Sequence, residues 1–262
     1  MKFVDLEKKD RCLTVWLNRG DKRNAFNADM VTQLIEAYGL AKDDRSISMV
    51  ALRGRGPTFC AGGDINWMSE LASCSFFERE KNAKLIAKLF SVIAQFPKPT
   101  LAVVHGQAFG GAVGLAICSD FVLATKSVKF ATSEAKLGIV PACLAPHLIN
   151  RIGWAQTRRM FLWAEVIEAN EVLRIGLVDR LVSDSETDVE LQKMVLQLAL
   201  NSNTACLTAK QLLRDLLKVE DTKRKDLSVK YLVDSWSSSD GKEGMRAFLE
   251  KRNPQWEGDE DV

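Results

Sequence analysis

The chain has 262 residues, 47% of them hydrophobic and 27% charged, the composition of an ordinary globular protein long enough to bury a large core. Its 36 basic and 34 acidic residues interleave and leave a formal charge of +2, so no basic block marks a nucleic-acid footprint. Six cysteines, Cys12, Cys60, Cys74, Cys118, Cys143 and Cys206, stand far apart without a CxxC pair, and with only two histidines in the chain they argue against a zinc site.

In chain order, the opening MKFVDLEKKD sets acids and lysines where a signal peptide requires an apolar stretch. The expectation is a cytoplasmic protein with free thiols. Leu13, Val15 and Leu17 alternate with Thr14, Trp16 and Asn18, the period of a strand with unlike faces. Asn27 is placed to cap a helix in which Met30, Val31, Leu34, Ile35 and Tyr38 recur at helical spacing up to Gly39. Met49 to Leu52 reads as a short buried strand. Ser75 and Glu78 form a capping-box pattern ahead of an amphipathic helix carrying Leu85, Ile86, Leu89, Phe90 and Ile93.

Leu101 to Cys118 is nearly free of charge and about long enough to span a bilayer, but His105, Gln107 and glycines 106, 110, 111 and 114 interrupt it. It reads instead as a strand over Thr100 to Val104 and a helix after Gly110, followed by strands at Phe121 to Ala124 and Val128 to Ala131. Strands alternating with helices favour an α/β fold. Beyond about Ala155 the pattern is mostly helical, with a late strand at Leu181 and Val182 and helices around Leu191 to Leu200, Cys206 to Leu217 and Leu227 to Trp236. The expected division is an α/β core holding the active site over residues 1–190 and a helical region over 191–262. The acidic end, Glu257 to Asp261, reads as a solvated fray.

Two glycine-rich turns beside strands carry the most information: FCAGGDI, residues 59–65, and GQAFGGAVG, residues 106–114. Such turns leave backbone N–H groups open to a substrate oxygen, because glycine tolerates the dihedrals and permits close approach. A dinucleotide fingerprint fails, since Phe109 stands where GxGxxG needs glycine, and neither a P-loop nor a GxSxG elbow occurs.

Lys22-Arg23-Asn24-Ala25-Phe26, then FCAGGDI, then HGQAFGGAVGLAICSD, then Ser133-Glu134-Ala135-Lys136-Leu137-Gly138-Ile139-Val140-Pro141 resemble the crotonase (enoyl-CoA hydratase/isomerase) superfamily in order and spacing. The resemblance extends to EGMRAFLEKR, residues 243–252, which is similar to the family's last helix. It implies a spiral of ββα turns with a C-terminal helical oligomerisation region, assembled as a homotrimer or a dimer of trimers. It also implies an acyl-CoA substrate, with coenzyme A part of that substrate, no separate cofactor and no metal.

By the same resemblance, the N–H groups of Ala61 and Gly111 form an oxyanion hole for the thioester carbonyl, where one donor contributes roughly 3 kcal/mol in comparable sites. Glu134 matches a catalytic glutamate and is the expected general acid/base. The family's second glutamate is replaced here by Gly114. Either Glu134 works alone with an ordered water, or the substrate lends a group, or the protein is not a simple hydratase.

Substrate contacts are expected from Lys22, Asn24, Ala25, Phe26, Gly63, Asp64, Ile65, Gly114, Pro141, His147, Phe248 and Lys251. Within that set Asp64 reads foremost as a loop-fixing residue. Asp120 reads as structural, Arg19, Lys22, Arg23 and Lys251 as surface cations within reach of coenzyme A phosphates, and Trp67 and Met68 as apolar wall. VPACLAPHL, residues 140–148, shapes the acyl pocket in this reading. The expected activity is hydration of a 2-enoyl-CoA, with isomerase and non-catalytic acyl-CoA binder as alternatives. In motif the chain looks most similar to bacterial methylglutaconyl-CoA hydratases, with His147, Asn66 or Arg151 as the expected donor to a distal substrate carboxylate.

Overall fold

A computed structural model describes residues 1–256; the acidic stretch Glu257 to Asp261 lies outside them. By internal contacts the chain forms two units, Met1–Phe96 with Thr100–Lys193, and Pro97–Pro99 with the chain from Met194 onward.

The first unit is built on a six-stranded sheet. Its strands are β1 (Val4–Lys9), β2 (Cys12–Leu17), β3 (Met49–Gly54), β4 (Thr100–Val104), β6 (Phe121–Thr125) and β9 (Arg180–Val182), in the spatial order β1-β2-β3-β4-β6-β9. β1 pairs antiparallel with β2, and every later neighbour is parallel. Met49 to Leu52 of β3 and Leu101 to Val104 of β4 are runs of buried apolar residues, as strands covered on both faces require. β1 is the edge: only Val4 is buried and its far end is Glu7, Lys8 and Lys9, which discourages further pairing. A second sheet of three short strands runs β5 (Gln107–Phe109), β7 (Lys129–Ala131), β8 (Ile167–Glu168).

Helices α1 (Ala28–Asp43), α2 (Ile65–Ser73), α3 (Phe76–Ala94), α4 (Gly111–Ile117), α5 (Ala145–Trp163) and α6 (Ala169–Arg174) connect the strands. Asn27 caps α1, its Oδ1 accepting from the Met30 N–H at 3.0 Å. The helix runs past Gly39, the expected stop, because Ala41 in the next turn is fully buried with Ala37 and Tyr38. Ser75 Oγ accepts from the Glu78 N–H and starts α3. The all-apolar α4 is buried from Ala112 to Ile117 at the centre of the core.

Helix α7 (Thr187–Ala199) continues from the first unit into the second, so the expected division at residue 190 falls inside a helix. The second unit holds α8 (Asn203–Leu216), α9 (Asp221–Ser237) and α10 (Ser239–Leu249). Ser202 and Ser238 cap α8 and α10, and Tyr231 donates to Asp215 at 2.7 Å between α9 and α8. No described helix is long and apolar enough to cross a membrane.

Candidate active site

The turn after Phe59 is held by two parallel bridges. Cys60 pairs with Ala108, its N–H donating to Gln107 O at 3.1 Å and its carbonyl accepting from Phe109 N at 3.3 Å. Gly63 pairs with Phe26: the Phe26 N–H donates to Gly62 O and the Asp64 N–H to Phe26 O, both at 2.8 Å. In a parallel bridge the flanked residue turns its own N–H away from its partner strand, so the Gly63 N–H points away from Phe26. Gly62 has φ +99°, and a Cβ there would sit 2.6 Å from Phe109 O, which leaves no residue but glycine.

These bonds correct the expected oxyanion pair. The Ala61 N–H donates to Arg23 O at 2.9 Å and is already used in closing the turn. The Gly62 N–H points to Cys60 Sγ at 3.4 Å, and Asp64 and Cys60 are bonded as above. Among the described residues Gly63 therefore carries the turn's unbonded N–H.

The facing turn carries a second N–H without a partner inside its own helix. Gly110 adopts φ +55°, ψ −128°, and its N–H donates to Ala131 O at 2.8 Å. Gly111 follows as the first residue of α4, where an N–H has no intrahelical acceptor. The Phe26 ring lies against it: a Cβ on Gly111 would meet Phe26 Cζ at 2.6 Å.

Glu134 begins a short 3₁₀ turn, Glu134–Leu137, closed by Gly138 at φ +72°. The residue is 9% exposed, and its Oε2 is buried with no hydrogen-bond partner. Burial pushes the carboxyl above its ordinary pKa, opposed in part by a bond to its own backbone. Oε1 lies 3.2 Å from the Cβ position of Gly110, which brings the carboxylate to the residue beside the Gly111 N–H.

Gly63, Gly110, Gly111 and Glu134 line one cavity of about 300 Å³. Its walls come from one face of α2 (Trp67, Met68, Leu71), one face of α3 (Ala83, Ile86, Phe90) and the segment from Leu137 to Leu144. Glu134 is the only charged residue among the described lining, which includes no lysine, arginine or histidine.

Phe26, Gly63 and Pro141 are brought to this cavity together with Ala61, Gly111 and Glu134. Others are placed elsewhere. Asn24 is fully buried, donates through Nδ2 to the carbonyls of Arg55, Thr58 and Phe59, and accepts from the Arg19 N–H, so it clamps the loop and has no group left for substrate. Asp64 accepts from Arg19 at 2.6 Å and caps α2 through the Asn66 N–H. Burial works to raise its carboxyl, and the Arg19 and Asn66 bonds outweigh that and hold it below the usual range. Ile65 is 60% exposed, and neither it, Lys22 nor Ala25 lines the cavity.

Gly114 and His147 are also off the cavity wall. A Cβ on Gly114 would lie 2.5 Å from Phe90 Cζ, so the space that a larger residue would use is filled by that ring. His147 packs edge-on against the same ring, with centroids 6.3 Å apart. Burial pushes the imidazole's pKa down. Arg151 pairs with Asp179 at 2.5 Å, Asn66 is exposed, and neither lines the cavity. Phe248 is 83% exposed on α10, and Lys251 follows that helix at φ +55°.

The sequence reading missed Leu71, Ala83, Ile86 and Phe90 as site residues. The 83-86-90 spacing marks one helical face and was the available signal, although it reads equally as core.

The enoyl-CoA hydratase/isomerase family profile matches residues 7–259. A crotonyl-CoA hydratase of Syntrophomonas wolfei is 30% identical over 251 residues, covering 95% of this chain and 95% of that protein. A 1,2-epoxyphenylacetyl-CoA isomerase of Escherichia coli is 29% identical over 260 residues, 98% of this chain and 99% of that one. The crystal structure of an enoyl-CoA hydratase from Shewanella pealeana matches with a TM-score of 0.92 at 33% identity, covering 97% of this chain and 96% of that chain.

Proposed function

The chain belongs to the enoyl-CoA hydratase/isomerase family, and we propose that it hydrates a short 2-enoyl-CoA with an apolar acyl group, using Glu134 as its one acid/base. The observation that carries this is the buried Glu134 carboxylate, its Oε2 without a hydrogen-bond partner, in the same cavity as Gly63 and Gly111, whose N–H groups are left open by the turn and by the start of α4. The thioester oxygen accepts from those two N–H groups. The Glu134 carboxylate takes a proton from water as the water oxygen bonds to C3, and the C2=C3 electrons move onto the thioester oxygen as an enolate. The enolate collapses, C2 takes the proton back from Glu134, and the carboxylate is restored. An apolar cavity raises the pKa of Glu134 toward working pH and strengthens both N–H contacts to the enolate.

Incubation with crotonyl-CoA tests this by mass: the product gains one water in the wild type and the rate falls by ~10²-fold or more in Glu134→Gln. Wild-type turnover that survives the substitution sinks the role given to Glu134.

Isomerisation is the second reading, favoured by the presence of a single carboxylate among the described lining residues. One base that removes a proton from C2 of a 3-enoyl-CoA and returns it to C4 needs no second acid. Conversion of 3-butenoyl-CoA to crotonyl-CoA faster than crotonyl-CoA hydration selects it.

A 3-methylglutaconyl-CoA substrate would bring a distal carboxylate into the cavity. Its expected donors, His147, Asn66 and Arg151, stand off the lining, which favours the apolar acyl group. Crotonyl-CoA is expected to exceed 3-methylglutaconyl-CoA in kcat/KM by about tenfold or more, and the reverse ratio restores the branched substrate. For the coenzyme A moiety, Lys22 to Phe26 borders the site in this reading, supported by the exposed Lys22 and by Phe26 in the cavity wall. Assembly as a trimer or dimer of trimers in the cytoplasm completes the proposal. It is supported by the exposed Leu213, Leu217, Leu232 and Trp236 of the helical unit and by six free cysteines.

A further inference from the structure

Gly110 and Gly114 are four residues apart, about one turn and 6 Å along the start of α4. Each is covered by one side chain from elsewhere: the Glu134 carboxylate at Gly110 and the Phe90 ring at Gly114. Phe90 is 1% exposed, yet its ring belongs to the cavity lining, while Gly114 and His147 behind it do not.

We infer that Phe90 is a specificity-determining residue: its ring, seated on Gly114 and backed by His147, is the wall that limits the length of the acyl group. This rests on the acyl-CoA reading of the cavity. Three observations support it. Phe90 Cζ, Cε1 and Cε2 all fall within 2.9 Å of the Cβ position at residue 114, so the ring takes the volume in which any side chain at 114 would stand. The ring is held from behind by an aromatic contact, with interplanar angle 78°, and does not fill the space by default of a partner. The remaining α3 residues in the wall, Ala83 and Ile86, are small or aliphatic, which makes Phe90 the bulkiest group that helix presents to substrate. Shortening it opens the volume between Gly114 and His147 to the end of an acyl chain. Adding a methyl at Gly114 forces the ring to give way by roughly 1 Å to reach ordinary contact distance.

The test measures Kd by calorimetry for butyryl-, hexanoyl-, octanoyl- and decanoyl-CoA, and kcat/KM for the matching 2-enoyl-CoAs, in the full-length chain. Phe90→Leu and Phe90→Ala are expected to raise the octanoyl-to-butyryl affinity ratio by about tenfold or more, since one methylene in an apolar pocket is discriminated by about tenfold. Gly114→Ala is expected to change the ratio through the ring it displaces, and Gly114→Ala with Phe90→Leu to bring it back toward the wild-type value. A wild-type ratio in folded Phe90→Leu overturns the inference. Should both Phe90 variants fail to fold, an unchanged ratio in Gly114→Ala overturns it equally. Acyl-CoA binding without turnover in the wild type would defeat the hydratase and isomerase readings and leave the Kd ratios to decide this one. A wild type that binds none of the thioesters removes both.

Discussion

The Glu134 carboxylate faces Gly110, with Oε1 3.2 Å from where a Cβ on Gly110 would stand. Gly110 also adopts φ +55°, ψ −128°, a conformation that side-chain-bearing residues avoid at a cost of about 1–3 kcal/mol. Gly110→Ala therefore strains the turn and presses a methyl on the carboxylate at once. A fall in kcat of about tenfold is expected, because small displacements of a reacting group are costly. The acid limb of the pH–rate profile should move to higher pH, as the methyl removes more water from Oε1. A pH profile that keeps its wild-type midpoint in this variant would deny this proximity its effect on catalysis.

The direction of the Glu134 shift sets a second expectation. Burial raises its folded-state pKa, so the carboxylate needed to take the proton from water is lost at higher pH than for an exposed glutamate. The hydration rate should decline, as pH falls, through a midpoint above the ordinary carboxylate range. Stability runs the other way. A raised folded-state pKa contributes stability that is fully present below the unfolded value and lost as pH rises through the folded one. At neutral pH the wild type carries the cost of a buried charge and Glu134→Gln does not, so the inactive variant should melt at higher temperature than the wild type. That advantage should shrink toward acid pH, and thermal melts across the range check both signs.

Legibility in the sequence followed the range of the interactions. Asn27 as a cap, the strand at Thr100 to Val104 and the helix after Gly110 rest on neighbours in the chain and were readable. Edge strand β1 was passed over because only Val4 is buried and no buried face repeats. Motifs that keep order and spacing single out Glu134, Phe26 and Gly111, which share one cavity. The choice between Ala61 and Gly63 was not readable, because it depends on which of them pairs with Phe26, a residue 37 positions from Gly63. Nor could helical spacing say that Phe90 covers Gly114, since periodicity marks a buried side chain without naming what it is buried against.

That choice at the turn is itself testable. Gly63→Pro removes the unbonded N–H, and a loss of ~10²–10³-fold in kcat is expected if that group holds the enolate oxygen. Ala61→Pro removes an N–H that is bonded to Arg23 O, and its effect should fall on folding, seen as a lower Tm. Carbonyl vibrational spectra of a bound thioester separate the two: the polarising shift should shrink to what the Gly111 N–H alone supplies in Gly63→Pro and persist in full in folded Ala61→Pro. The opposite pattern would return the donor role to Ala61.

Asp64 and Arg19 supply the last prediction. Their 2.6 Å ion pair is largely enclosed, with side-chain exposures of 10% and 15%, and Asp64 also caps α2 immediately after Gly63. Asp64→Ala leaves the Arg19 guanidinium facing Ala25 O without its anion and uncaps the helix, so a loss of about 3 kcal/mol is expected. Because the Asp64 pKa is held down in the fold, its contribution is present above the unfolded-state value and disappears as pH falls through the folded one. The Tm gap between wild type and Asp64→Asn should therefore be wide near neutrality and close in acid. The same turn carries the Gly63 N–H, so kcat should drop in the folded Asp64→Asn variant, whereas a purely electrostatic contact with substrate would raise KM and leave kcat unchanged. Steady-state kinetics beside the pH-resolved melts distinguish the two, and an unchanged Tm with a raised KM would return Asp64 to the substrate-binding role.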